Sequence, residues 1–174
     1  PLSDDGALDR DAFHALLDER VKLLSMVHVS NSLGTVNPVA ELTAAAHAVG
    51  ARVLIDGAQS APHMPIDVRA LDCDFFVCSA HKLYGPNGIG ALYGKAAVLA
   101  GMPPWRGGGE MIERVTLSGS TYAEPPARFE AGTPPITEAI GFGQACEWLR
   151  TVGMDAIAAH ERALFPRAEA ILDD

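Results

Sequence analysis

Residues 23–60 read LLSMVHVSNSLGTVNPVAELTAAAHAVGARVLIDGAQS, and this stretch decides the fold. Residues 23–29 form an apolar run with the length and character of a buried strand. A polar loop follows, Ser30-Asn31-Ser32-Leu33-Gly34-Thr35. Asn37 and Pro38 then stand as N-cap and first helical position of a helix reaching about residue 49, which Gly50 closes. Residues 52–55 make the next short strand, ending at Asp56-Gly57-Ala58-Gln59-Ser60. Strand, helix and strand in this order form a βαβ unit. The two strands therefore run parallel, and the loops at their carboxyl ends lie side by side.

Downstream, residues 62–65 break the chain between two prolines, and residues 67–71 suit a short helical turn. Phe75-Phe76-Val77-Cys78-Ser79 is the third strand, running straight into Ala80-His81-Lys82-Leu83-Tyr84. The cluster Gly85-Pro86-Asn87-Gly88-Ile89-Gly90 stops it. The link to residues 90–93 is too short for a crossover helix, so a strand there runs back antiparallel. Residues 102–124 have no clear period and read as an extended, mobile segment. Helices over 138–151 and 155–172 follow, with Gly153 between them. Upstream, Asp9 suits the cap of a helix over 10–19, with Phe13, Leu16 and Leu17 on one apolar face. The fold class is α/β, with a mostly parallel sheet flanked by helices.

The chain has 174 residues, 48% of them hydrophobic, enough for one domain with its own core. A formal charge of -9 argues against nucleic acid and anionic membrane surfaces as partners. No apolar run approaches the roughly 20 residues of a membrane-spanning helix, and no signal-peptide pattern opens the chain. Cys73, Cys78 and Cys146 show no metal-ligand spacing, and their odd number leaves no complete disulfide framework. A reducing, cytoplasmic setting is the expectation. Cys73 and Cys78 read as core residues, and Cys146 as a helix residue facing the core. His28 reads as a satisfied core histidine; His14, His47 and His160 read as solvated helix residues, and His63 has no assigned place. The chain opens without Met and closes in what reads as mid-helix, so a piece of a longer protein is expected.

Three loops thus share one edge of the sheet: Asn31, then Asp56 with Gln59, then Ser79 with His81 and Lys82. Open α/β sheets bind ligands at the carboxyl ends of their strands. A lysine and a carboxylate fixed there, with amide and hydroxyl donors around them, match the needs of pyridoxal 5'-phosphate (PLP). Its aldehyde bonds to a lysine, a carboxylate keeps its ring nitrogen protonated, and its phosphate takes hydroxyl and N–H donors. Gly85–Gly90 lacks the Gly-Lys-Ser/Thr of a Walker-type nucleotide site.

Asp56-Gly57-Ala58-Gln59 followed by Ser79-Ala80-His81-Lys82 resembles the class V aminotransferase superfamily of fold-type I PLP enzymes. Within it, residues 28–38, 81–90 and 128–134 (Arg-Phe-Glu-Ala-Gly-Thr-Pro), together with Gly107–Ile112, are similar to cysteine desulfurases of the SUF type. Selenocysteine lyases share that branch. The resemblance covers nearly the whole chain. It implies that Lys82 is the catalytic lysine holding PLP, Asp56 the partner of the ring nitrogen, and Gln59 the donor to the ring oxygen. Asn31 falls at the position beside cofactor and substrate, and Ser79 and His81 match phosphate ligands. Thr133 matches a threonine that reaches the phosphate in the other subunit of a homodimer.

The same resemblance implies that residues 1–174 are part of the large PLP-binding domain. Its stacking histidine and one phosphate-binding threonine would lie before position 1; the substrate-carboxylate arginine, the cysteine nucleophile and the small domain would lie after position 174. The implied activity converts L-cysteine to L-alanine and an enzyme persulfide, with a sulfur-acceptor protein and iron–sulfur cluster assembly downstream. The alternatives are a selenocysteine lyase, another class V enzyme, or a non-catalytic α/β scaffold.

Overall fold

A computed structural model describes residues 2–4 and 6–172; Pro1, Asp5, Asp173 and Asp174 lie outside the described residues. Strands β1 (Leu23–Val27), β2 (Arg52–Asp56), β3 (Phe75–Ser79) and β4 (Gly90–Gly94) form one sheet in chain order. β1, β2 and β3 are parallel, and β4 runs antiparallel to β3, as the short link requires. The registers Val27↔Asp56 and Asp56↔Val77 bring the carboxyl ends of the three parallel strands level.

The crossover helix α2 (Val39–Ala48) packs on this sheet through Val39, Leu42, Thr43 and Ala46, the i, i+3, i+4, i+7 stripe of an amphipathic helix. Of these, Val39 and Ala46 share one core cluster with Val53 and Ile55, the two alternate residues of β2 that are fully buried. Burying a side chain such as Leu42 or Ile55 contributes about 1.5–3 kcal/mol. Gly50, just past the helix, has φ +82°, a left-handed conformation glycine adopts without a Cβ penalty.

The predicted cap at Asn37 is not formed. No side chain caps α2, and Asn37 Nδ2 donates instead to the Val27 carbonyl at 2.9 Å. The first helix, α1 (Arg10–Leu16), is shorter than the pattern suggested: Leu17 turns out of it, and Leu16 is exposed. A short α3 (Val68–Leu71) is capped by the Asp67 carboxylate, and α4 (Ala96–Ala100) was not anticipated.

Residues 102–124 are not a formless segment. They carry a hairpin, β5 (Ile112–Thr116) and β6 (Gly119–Tyr122), separate from the main sheet and exposed along most of its length. Fully buried Met111 anchors its base, its carbonyl accepting from Ala123 at 2.9 Å. Two helices close the described chain, α5 (Ile136–Val152) and α6 (Met154–Leu172), either side of Gly153. α6 has no buried residue. Among the described residues, no helix is long and apolar enough to cross a membrane.

At the amino-terminal end of the strands lies a polar knot. Asp74, fully buried, accepts from His47 Nε2 at 2.8 Å, Arg52 at 2.9 Å and the Val53 amide at 2.8 Å. Burial pushes its carboxyl up, but those three donors outweigh burial and hold it below the ordinary value. His47 is therefore not a solvated helix residue. It links α2 to Asp74, with Asp72 3.5 Å from its other ring nitrogen.

Candidate active site

The opposite end of the sheet holds the cleft. A cavity of about 190 Å³ is lined by Val27, Val29, Asn31, Asp56, Ala58, Gln59 and Lys82. Each lining group is placed by a local hydrogen bond. The His28 amide donates to the Asp56 carbonyl at 2.9 Å, tying the end of β1 to the end of β2. Past it the chain folds back on itself, with Val29 bridging Val36 and the Asn37 amide donating to the His28 carbonyl at 2.8 Å, which leaves Asn31 on the loop tip. Asp56 Oδ1 accepts from the Ala58 amide at 2.9 Å, so one carboxylate oxygen anchors the turn and the other stays available. Fully buried Ser60 donates its hydroxyl to the Gly57 carbonyl at 3.4 Å, making residues 57–60 a packed turn with Gln59 half-buried on it.

Lys82 ends a 3-10 turn, Ala80–Lys82, closed by the Leu83 and Gly85 amides donating to the Ala80 carbonyl at 2.8 and 2.9 Å. The chain has two other lysines, and both are tied down at the far end of the strands. Lys22 donates to the Glu19 carbonyl at 2.7 Å, and Lys95 to the Asp72 carbonyl at 2.8 Å. Lys82 makes no side-chain hydrogen bond to a described residue and is the lysine on the cleft wall.

Not every candidate reaches this cavity. Ser79, half-buried, and His81, exposed, flank the Lys82 turn without lining the cleft. Thr133 is exposed and lines a separate cavity of about 620 Å³ with Trp105, Arg106 and Phe129 among others. Sequence reasoning did not single out Val27 and Val29 as walls, although their alternation about His28 was readable.

His28 does not line the cleft. It is buried as expected, but Nδ1 has no partner among the described residues, and burial pulls its imidazole below the ordinary value. His63 lies against α6, its Nδ1 2.8 Å from Glu161 Oε1. Cys146 is exposed on α5 rather than facing the core. Burial pushes all three thiols up; Glu147 adds to this at Cys146, and none of the three lines the cleft.

Amine, carboxylate, amide and two valine walls suit a small, flat, heteroaromatic group with ionisable edges. The cavity is well below the roughly 300–1,000 Å³ of sites that hold drug-sized ligands, which suits one aromatic ring and its substituents. The model of the class V aminotransferases matches residues 1–174. The chain belongs to this family.

Among class V relatives, a cysteine desulfurase of Dickeya dadantii is 56% identical over 173 residues, covering 99% of this chain and 42% of the relative. The chain thus spans less than half the length of that relative. The crystal structure of the cysteine desulfurase CsdA from Escherichia coli superposes with TM-score 0.95 at 40% identity, over 100% of this chain and 44% of the other. A further solved structure, a C-DES variant with glycine covalently linked to its PLP cofactor, superposes with TM-score 0.74 at 28% identity, over 83% and 39% of the two chains. The family assignment and the α/β fold with its mostly parallel sheet agree with the reading of the sequence.

Proposed function

We propose that this chain is part of the large PLP-binding domain of a cysteine desulfurase. The observation that carries the reading is the single cleft lined by Lys82, Asp56, Gln59 and Asn31, with Lys82 the one lysine free of the sheet's far end. Bound PLP would supply an electron sink for negative charge developing on the substrate.

The chain's own groups then have distinct tasks. Lys82 would hold the cofactor through its Nζ, and the same amine would move protons at the substrate's α-carbon. The free oxygen of Asp56 would hold the ring nitrogen, its charge keeping a proton there. Gln59 would donate its amide N–H to the ring oxygen. Val27 and Val29 exclude water from the ring's surroundings, which strengthens each polar contact inside. Asn31 stands on the substrate side, and Ser79 and His81 supply phosphate donors. Thr133, exposed outside the cleft, is assigned to the phosphate of the second subunit in a homodimer.

The substrate is L-cysteine. Its C–S bond breaks, the carbon takes a proton to give L-alanine, and the sulfur passes to an enzyme thiol, leaving a persulfide. That thiol is none of Cys73, Cys78 or Cys146. An acceptor protein then takes the sulfur towards iron–sulfur cluster assembly, in the cytoplasm. The test is the full-length protein loaded with PLP: it should show the yellow cofactor band and release alanine from cysteine, and Lys82→Ala should abolish both. Alanine release at the wild-type rate by Lys82→Ala would refute the assignment. Turnover of selenocysteine in preference to cysteine would move the reading to a selenocysteine lyase.

A further inference from the structure

The turn that presents Gln59 continues as a helical coil: the His63 and Met64 amides donate to the Ser60 carbonyl at 3.1 and 3.0 Å. Gln59 and His63, four residues apart, therefore share one side of it. That side faces α6 across a cavity of about 420 Å³, walled by Val29, Val36, Gln59 and His63 on one flank and by Asp155, Ala158, Glu161 and Arg162 on the other. Val29 and Gln59 line this cavity and the Lys82 cleft alike, so the two spaces adjoin.

Across it runs one polar link, His63 Nδ1 to Glu161 Oε1 at 2.8 Å, joining residues 98 apart in sequence. A carboxylate only accepts, so the Nδ1–H donates. No buried residue holds α6 in place, and among the described residues this is its one side-chain hydrogen bond to the sheet layer. This pair is therefore the polar contact that ties the segment carrying Gln59 to α6.

We propose that His63 and Glu161 are positioning residues for Gln59: their hydrogen bond docks the turn on α6 and so aims the Gln59 amide at the cofactor's ring oxygen. The inference rests on the reading of Gln59 as that donor. Losing a well-aimed hydrogen bond of this kind weakens binding by about threefold to tenfold.

The experiment uses the full-length protein with PLP, following the position of the cofactor's visible band and the PLP Kd by equilibrium dialysis. Gln59→Ala sets the reference displacement of both. His63→Ala and Glu161→Ala are each expected to move the band in the same direction and raise Kd by about threefold to tenfold. The double variant should do no more than either single one, the signature of one shared interaction. His63→Asn, which keeps an N–H close to the Nδ1 position, should restore the wild-type band. Both side chains are half-exposed, so the fold does not depend on them. A wild-type band and Kd in His63→Ala and Glu161→Ala, or additive effects in the double variant, would overturn the positioning role while Gln59 kept its own. An unmoved band in Gln59→Ala would overturn it at the root, by removing Gln59 from the ring.

Discussion

The ring of Phe76 on β3 fills the space that a Cβ at Gly57 would need, while the Gly57 amide donates to the Val77 carbonyl at 2.8 Å. Gly57 follows Asp56 directly, so the absence of a side chain there lets the β2 end lie flat on β3. This close approach sets the carboxylate loop beside the lysine loop. Gly57→Ala is expected to lower unfolding free energy by about 1–3 kcal/mol through overpacking. It should also cut PLP occupancy of the full-length protein. Urea midpoints and bound-cofactor absorbance check this; wild-type values for both would show that the ring yields without moving the loop.

Acid should weaken the fold in two windows. Burial keeps His28 below the ordinary histidine value, so the unfolded chain takes up a proton that the folded chain declines. Stability from this source falls as pH drops below about 6.5, the unfolded value. The Asp74 carboxyl is held down by its three donors, and that of Asp72 chiefly by the Lys95 hydrogen bond. Their contribution is complete above about pH 3.9 and is lost as pH falls through their lower folded values. His28→Leu should flatten the first window and leave the second. Urea midpoints measured across pH decide it, and an unchanged slope below about pH 6.5 would clear His28.

Asp74→Ala removes the acceptor for a buried amide, that of Val53, and for His47 and Arg52. Arg52 is exposed enough to recover water, so the loss centres on the orphaned Val53 N–H and is expected to be about 1–3 kcal/mol. Asp74→Asn, which retains an acceptor oxygen, should lose less. Equal losses in the two variants, read from denaturant midpoints, would mean that the charge rather than the hydrogen bond to Val53 holds the knot.

Much of this architecture was legible in the sequence, for physical reasons. Runs such as Phe75–Ser79 are apolar because their strands are covered, and the turn residues after them mark where cover ends. From the βαβ rule alone, Asn31, Asp56 and Lys82 fell on one edge, and they line one cleft. The hairpin Ile112–Tyr122 was missed because strand alternation arises from one-sided burial, and its strands bury almost nothing. His47 looked solvated because its partner Asp74 is 27 residues away and joined only through the sheet. Asn37 suited a cap locally but found the Val27 carbonyl instead. The orientation of Cys146 and the His63–Glu161 link depend on how α5 and α6 sit, which no local pattern encodes.

Cys146 is not the proposed sulfur acceptor: it lies off the cleft, and although the residue is exposed on α5 its thiol is partly desolvated, which with Glu147 pushes it up. Cys146→Ser in the full-length protein should therefore leave alanine release within about twofold of wild type, surface substitutions rarely doing more. Loss of persulfide formation, followed by mass spectrometry of the protein after incubation with cysteine, would reassign the acceptor.

Asp56→Asn keeps the shape of the turn and removes the charge proposed to hold the ring nitrogen's proton. PLP should still bind, while alanine release falls by about 10- to 100-fold, the range for a hydrogen bond to a charged group. Turnover close to wild type would return Asp56 to a turn-forming role.

The central claim is that Lys82 carries the cofactor, and borohydride reduction tests it most directly. The full-length protein loaded with PLP is reduced, digested and mapped by mass spectrometry. The phosphopyridoxyl group is predicted on the peptide containing Lys82. Its appearance on Lys22 or Lys95 instead, both tied to backbone carbonyls at the far end of the sheet, would contradict the account.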